Sequence, residues 1–100
     1  MERLTKKDFL GLRPRIIFRG TFVDIAVKER EEISKFACVI AKKRVKKSVD
    51  RNKIKRKIYH IVKDIKPKNN YFVIVYPKIS ALQTPYSHVQ EEITKAFATL

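Results

Sequence analysis

The sequence is poor in several residue types on which specialised sites depend. It has one cysteine, Cys38, so no disulfide can form within the chain, and its apolar neighbours indicate a buried, unreactive thiol. There is no Cys/His cluster that could hold a metal ion, and the two glycines, Gly11 and Gly20, leave no glycine-rich loop for cradling a phosphate. No apolar run approaches the roughly 18 residues of a membrane span, and we therefore expect a cytoplasmic protein with no membrane partner.

Candidate catalytic groups are equally scarce. His60 and His88 could in principle form an acid/base pair, but each lies among polar residues of a predicted helix and nothing in the sequence brings them together. The adjacent carboxylates Glu31–Glu32 and Glu91–Glu92 would point apart on a helix or a strand, so we interpret them as solvated charge. The sequence therefore predicts no catalytic residues in the chain itself.

The composition is strongly basic. Twenty-four Lys and Arg against ten Asp and Glu give a formal net charge of +14 and a pI of about 10.2. Such an excess favours a polyanion as the partner and predicts binding that weakens with salt. At 100 residues and 44% hydrophobic content, the chain has the size of one domain that buries roughly 60 to 65% of its unfolded surface.

The charge is concentrated in one stretch, Lys42 to Lys57. This stretch holds ten basic residues and a single acid, Asp50, and so accounts for +9 of the net +14. Its second half predicts a helix, with Ser48 as the N-cap and Asp50 in the first turn, where both suit the free amide groups and the positive end of the helix dipole. Apolar residues at helical spacing then predict one buried stripe, formed by Ile54, Ile58, Ile61, Val62 and Ile65.

One edge of this predicted helix combines cations with an amide and an aromatic ring. Its members are Arg51, Asn52, Lys55, Arg56, Tyr59 and Lys63, while Lys53, Lys57 and His60 fall on the other flank. The combination suits phosphate contacts together with stacking or base-edge hydrogen bonds. A plain solvated face would leave the charge without an anionic partner, and a membrane-surface helix would carry Trp, Phe or Leu in its apolar stripe. Nucleic acid is the better interpretation.

The first third of the chain predicts a short helix and two strands. Thr5 and Asp8 form a pattern close to a capping box, so a helix should begin at about Lys6 and stop by Leu12 because Pro14 disfavours its continuation. β-branched and aromatic residues follow, which indicate a short strand from residue 16, a kink at residue 20 and a strand over residues 22–27. Alternation favours a core-facing set of Val23, Ile25 and Val27 and an opposite set of Phe22, Asp24 and Ala26, although the reverse assignment stays open.

The remaining elements complete a helix and strand order. Glu29 to Lys35 reads as a hairpin connection into a central strand over 36–41, and a further strand over 71–76 is stopped by Pro77. Thr84 is the expected cap of a last helix, with Pro85 at its first position. Its apolar stripe is Val89, Ile93, Ala96, Phe97 and Leu100. The order α-β-β-β-α-β-α predicts an α+β fold, one two-layer domain with a mixed sheet of about four strands.

The run from Ile40 to Arg56, IAKKRVKKSVDRNKIKR, resembles the signature of the bacterial ribonuclease P protein component. In that family a strand ends in a Lys-Lys pair, a basic connector follows, and the next helix opens with an Arg-Asn-Arg pattern. The resemblance implies a single RNA-binding domain over residues 1–100 with a left-handed βαβ crossover. It implies RNA-binding roles for Lys42, Lys43, Arg44, Lys46, Lys47, Arg51, Asn52, Lys53, Lys55 and Arg56.

The resemblance also implies what the chain does. The family's RNA subunit binds magnesium and cleaves precursor tRNA, while the protein, itself without cofactor and expected to be monomeric, binds that RNA and the 5′ leader. Phe9 matches the aromatic position of the first helix that lines the leader cleft, Arg13 stands where a second aromatic is common, and Phe22 belongs to a strand beside the cleft. Two other classes stay open, a ribosomal or RNA-chaperone protein and a stand-alone nuclease that uses His60 or His88.

Overall fold

A computed structural model describes residues 1–100 as three helices and a five-stranded sheet. The elements in chain order are β1 (Glu2–Arg3), α1 (Lys6–Phe9), β2 (Arg15–Arg19), β3 (Val23–Glu29), β4 (Lys35–Cys38), α2 (Ser48–Val62), β5 (Tyr71–Pro77), a 3₁₀ turn (Ile79–Ala81) and α3 (Tyr86–Ala98). The α+β class, the two layers and the mixed sheet are those predicted. The additional strand is β1, whose two exposed polar residues offer no apolar alternation from which a strand could be inferred.

The strand order is β1-β4-β5-β3-β2. β2 and β3 form an antiparallel pair, β3 is antiparallel to β5, and β4 runs parallel to both β5 and β1. The expected hairpin between β3 and β4 is therefore wrong, because β5 lies between them and the charged connection bridges two non-adjacent strands. β4 is also shorter than expected, ending at Cys38, and the central strand of the sheet is β5.

The hydrophobic core lies between one face of the sheet and the helices α2 and α3. The core-facing residues of β3 are Val23, Ile25 and Val27, as alternation predicted. They pack with Ile54, Ile58, Ile61 and Val62 of α2 and with Val89, Ile93, Ala96 and Phe97 of α3. Ile65 and Leu100 extend the two stripes beyond the helix ends and are partly buried. Both amphipathic stripes are confirmed.

Of the three predicted helix caps, one is present and two are not. The Thr5 capping box is present, because the Asp8 carboxylate accepts the Thr5 backbone N–H at 2.8 Å and the Thr5 side chain accepts the Asp8 N–H. Ser48 is wrong as a cap, since it is the first helical residue and Lys47 occupies the N-cap position without a side-chain hydrogen bond. Thr84 is also wrong, since Pro85 is the N-cap of α3 and the Thr84 hydroxyl donates to the Ser80 carbonyl instead.

The sheet face opposite the helices carries a second set of β3 side chains. Asp24 and Ala26 are buried, although neither belongs to the core between sheet and helices. Phe22 does not join them as expected: it precedes β3, where strand alternation does not apply, and packs at the edge of the core. Because β1 and β2 are opposite edges of the sheet, the segment between them, which contains α1, has to cross from one edge to the other.

Candidate nucleic-acid interface

Residues 41–47, which we call the basic connector, join β4 to α2 and are held at three points. Val45 is 1% exposed and belongs to the core. The Arg44 guanidinium lies 3.5 Å from the Asp24 carboxylate, measured from Nη2 to Oδ2. Arg51 reaches back from the first turn of α2, where its Nη1 donates to the carbonyls of Val45 and Lys46 at 2.9 Å each. The connector is therefore fixed in spite of its charge.

Most cations expected to contact RNA are exposed and free of intramolecular partners. They are Lys42, Lys43, Lys46, Lys47, Lys53, Lys55 and Arg56. These charges repel one another, and a polyanion that binds beside them relieves the repulsion. Arg44 and Arg51 differ from the others, because Arg44 is ion-paired with Asp24 and Arg51 donates to two backbone carbonyls.

A groove of about 480 Å³ runs along the cationic edge of α2. Its wall on α2 consists of Asn52, Lys55, Arg56 and Tyr59, the residues that the helical spacing placed together. The other linings come from the N-terminal segment and β4, namely Arg3, Leu4, Phe9, Phe36, Ala37, Cys38 and Val39. The groove thus combines an apolar floor with cations and an amide at its rim, which suits a nucleic-acid strand whose bases stack and whose phosphates stay exposed.

Aromatic stacking shapes one end of this groove. The rings of Tyr59 and Phe36 stack with centroids 5.7 Å apart, and the Arg3 guanidinium lies 4.2 Å from the Tyr59 ring centroid. α1 is tied to β4 by the Asp8–Lys35 ion pair, at 3.3 Å. The Thr5 backbone N–H, the Thr5 hydroxyl and, to a smaller extent, Lys35 lower the pKa of the Asp8 carboxyl, so this anchor is ionised at neutral pH.

The three residues expected to bind the leader are not brought together. Phe9 lines the groove, is 39% exposed and belongs to a helix that buries none of its residues. Arg13 lies beside Arg15 in a separate depression near the end of β3. Phe22 lies on the α3 side of the molecule, where it lines a shallow depression with His88. The structure thus places only Phe9 in the groove.

Three charged residues have positions that sequence reasoning missed. Asp24, expected on the face of β3 that points away from the core, is buried and pairs with Arg44 and Lys78. Glu92, taken as solvated charge, accepts the backbone N–H groups of residues 21–23. Lys57 donates to the carbonyls of residues 81, 82 and 84 and so secures the segment before α3. A charged residue inside an apolar strand was the only sequence signal, and it pointed to Asp24 alone.

The reactive side chains lie in different surroundings. Burial raises the pKa of the Cys38 thiol to about 12, and the charge of Lys55 opposes this only in part, so the thiol stays protonated although it lines the groove. His60 and His88 are exposed on α2 and α3, and His60 packs edge-on against Tyr59. No group of three or more His, Cys, Asp or Glu could hold a metal ion, and no helix is both long and apolar enough to cross a membrane.

Comparison with known proteins agrees with this geometry. The family model described as ribonuclease P matches residues 3–100, whereas no curated protein matches the sequence. Among solved structures, the RNase P protein from Thermotoga maritima superposes with a TM-score of 0.81 at 19% identity, over 100% of this chain and 98% of that one. The RNase P protein from Staphylococcus aureus gives a TM-score of 0.76 at 16% identity, over 98% of this chain and 93% of that one. A mutant of the Staphylococcus aureus RNase P protein with defective mRNA degradation activity gives 0.79 at 19% identity, over 97% and 86%. At this identity the structures establish the fold, and the family match, which spans nearly the whole sequence, establishes the lineage: the chain belongs to the ribonuclease P protein family.

Proposed function

We propose that this chain is the RNA-binding protein subunit of a ribonuclease P, that it holds the catalytic RNA through the basic connector and α2, and that it holds the 5′ leader of precursor tRNA in the groove. Membership of the family implies an endoribonuclease complex and an RNA subunit as partner. The proposal goes beyond family membership in assigning the RNA subunit to the connector and α2 and the leader to the groove.

One observation carries the proposal. Lys55 and Arg56, two of the seven exposed cations without intramolecular partners on the connector and α2, line a groove that also exposes the aromatic ring of Phe9, on a helix with no buried residue. The cations neutralise phosphates, and each contact with structured RNA releases counterions. Base stacking on an aromatic side chain is worth about 1 to 3 kcal/mol and tolerates any sequence, which suits a leader that varies between precursors.

The proposed division of labour leaves catalysis to the RNA. The exposed histidines, the protonated thiol and the separate carboxylates of the protein form no nucleophile and base pair. Magnesium ions held by the RNA subunit would supply the chemistry, and the protein would bring two polyanions together and keep the leader extended. Its contribution is therefore to substrate affinity.

Reconstitution tests the proposal directly. The purified protein and the RNA subunit of the same organism are combined with magnesium, and cleavage of precursor tRNA is followed on gels. We expect one cut at the mature 5′ end, which requires the RNA, and tighter binding of precursor than of mature tRNA. A His60→Ala, His88→Ala double variant should cut equally well.

Cleavage by the protein alone, or its loss in the double variant, would instead support a stand-alone nuclease. A ribosomal or RNA-chaperone role, the other class open from the sequence, would show equal affinity for unrelated structured RNAs and no stimulation of cleavage.

A further inference from the structure

Asp24 is a buried carboxylate on the sheet face that the helices leave uncovered. It is 4% exposed, and its neighbours Val23 and Ile25 point into the core on the other face. A buried carboxylate is costly unless cations or hydrogen bonds compensate it. The place of Asp24 in an otherwise apolar stretch of β3 therefore depends on the cations around it.

Two cations pair with this carboxylate, and a third lies on the same face of the sheet. Lys78, which follows β5, places Nζ 3.3 Å from Oδ1 and also donates to the Gly20 carbonyl at 2.6 Å. Arg44, from the basic connector, places Nη2 3.5 Å from Oδ2. Arg19 of β2 is the cross-strand partner of Asp24 and so lies on the same face. The single acid therefore pairs with cations from the connector and from the end of β5.

The contact leaves most of Arg44 free. A guanidinium has five N–H donors in a rigid fork, and the contact of Arg44 with Asp24 is an ion pair of 3.5 Å rather than a hydrogen bond. The Arg44 side chain is 42% exposed, and the next side chain along the turn, Val45, is fixed in the core. The ion pair thus orients one side of the Arg44 guanidinium. The exposed side keeps N–H donors with which it could bind a phosphate in a bidentate pair.

From this geometry we infer that Asp24 is a positioning residue for RNA binding, which acts by holding the Arg44 guanidinium towards a phosphate of the RNA. The inference rests on the proposed function. Its physical basis is preorganisation: a long side chain that is already oriented loses less conformational entropy when it binds.

A positioning role for Asp24 and a simple effect of net charge predict opposite changes in RNA affinity when the carboxylate is removed. Removal of an acid from an RNA-binding surface should strengthen the attraction to RNA. If Asp24 positions Arg44, the isosteric variant Asp24→Asn should instead bind the RNA subunit about three- to tenfold more weakly, the range expected when one good phosphate contact is lost. It should also flatten the plot of log affinity against log salt, as Arg44→Gln should.

A double-variant cycle tests whether the effect passes through Arg44. Affinity for the RNA subunit is measured over a series of salt concentrations for the wild type, Asp24→Asn, Arg44→Gln and the combination. We expect Asp24→Asn to add little to Arg44→Gln. Lys43→Gln is the matched control, because Lys43 is its exposed neighbour in the same connector and has no contact with Asp24; Asp24→Asn should weaken binding in that background as much as in the wild type.

The results that would overturn a positioning role for Asp24 are as follows. Tighter binding by Asp24→Asn, or equal effects of Asp24→Asn in the Arg44→Gln and Lys43→Gln backgrounds, would overturn the inference. Should Asp24→Asn not fold, Arg44→Lys keeps the charge but loses the fork, so it should bind nearly as weakly as Arg44→Gln, and wild-type affinity would overturn the inference. A wild type that does not bind the RNA subunit at all would refute the proposed function, which distinguishes the two failures.

Discussion

Removal of the Glu92 carboxylate should destabilise the whole domain. Glu92 lies on α3, yet its carboxylate accepts three successive backbone N–H groups of the turn before β3, at 2.6 Å from Thr21, 2.8 Å from Phe22 and 3.0 Å from Val23. Gly20 makes room for this contact, because a Cβ on Gly20 would lie 2.5 Å from the Glu92 carboxyl carbon. One side chain therefore holds the β2–β3 turn against α3.

The expected loss of unfolding free energy can be estimated from the three backbone N–H groups that lose their acceptor in Glu92→Ala. Val23 is 0% exposed, so its N–H would become a buried donor without a partner, which costs about 1 to 3 kcal/mol. The N–H groups of Thr21 and Phe22 lie nearer the surface and can turn to water, and each loss should cost about 0.5 kcal/mol. The total is about 2 to 4 kcal/mol, which for a domain of this size lowers the melting temperature by roughly 10 to 20 °C.

Glu91→Ala provides a matched control, since it removes the neighbouring carboxylate of the same helix. Glu91 is exposed and makes only an i,i+4 ion pair with Lys95 at 3.4 Å, worth about 0.3 to 0.5 kcal/mol. Thermal unfolding followed by circular dichroism measures both variants, and alanine suits a helix, so helix propensity cannot explain a loss. If Glu92→Ala melts within about 3 °C of Glu91→Ala, the hydrogen bonds to the turn do not stabilise the fold and the reasoning is wrong.

Three further predictions concern the groove and its rim. The double variant Lys55→Gln, Arg56→Gln should flatten the dependence of log affinity for the RNA subunit on log salt by about 1.4 to 1.8, because two phosphate contacts are lost; an unchanged slope in binding titrations would show that neither contacts a phosphate. Phe9→Ala should weaken precursor tRNA binding more than mature tRNA binding and barely change the melting temperature, because Phe9 lies outside the core; equal losses for both tRNAs, or unfolding, would contradict its assignment to the leader. Cys38 should react with a thiol reagent at pH 8 far more slowly in the folded protein than in urea, because burial raises the pKa of its thiol to about 12; equal rates would contradict that burial.

Several features of the protein follow from the sequence alone because they depend on neighbours along the chain. The stripe that begins at Ile54 and the stripe that begins at Val89 are periodicities of single helices, and burial of a 3.6-residue pattern depends only on a face being available. The capping box of Thr5 and Asp8 is likewise closed within four residues. The concentration of charge near Lys42 can be recognised without any structure. Together with the motif from Ile40 to Arg56, it indicated the family.

The errors concern contacts between residues far apart in the chain. Alternation marks a strand and its faces, but it does not say which strand lies beside it, so the insertion of β5 between β3 and β4 could not be inferred. Helix caps failed for a related reason. Both Ser48 and Thr84 have suitable side chains, yet the helices begin where the tertiary packing of the connector and of the segment before α3 places them.

The tertiary structure alone decided the roles of the buried and partly buried charges. Glu92 lies 70 residues from Phe22 in sequence, and Asp24 lies 20 residues before Arg44, so no local pattern connects either pair. In each case the fold brings an acid to groups that it would not otherwise meet: backbone N–H groups at a tight turn for Glu92, and cations from the connector and from the end of β5 for Asp24. Sequence determined how much positive charge the surface carries. The fold determines which of those cations are held in place and which are left without intramolecular partners, because that depends on which acids the packing brings within reach.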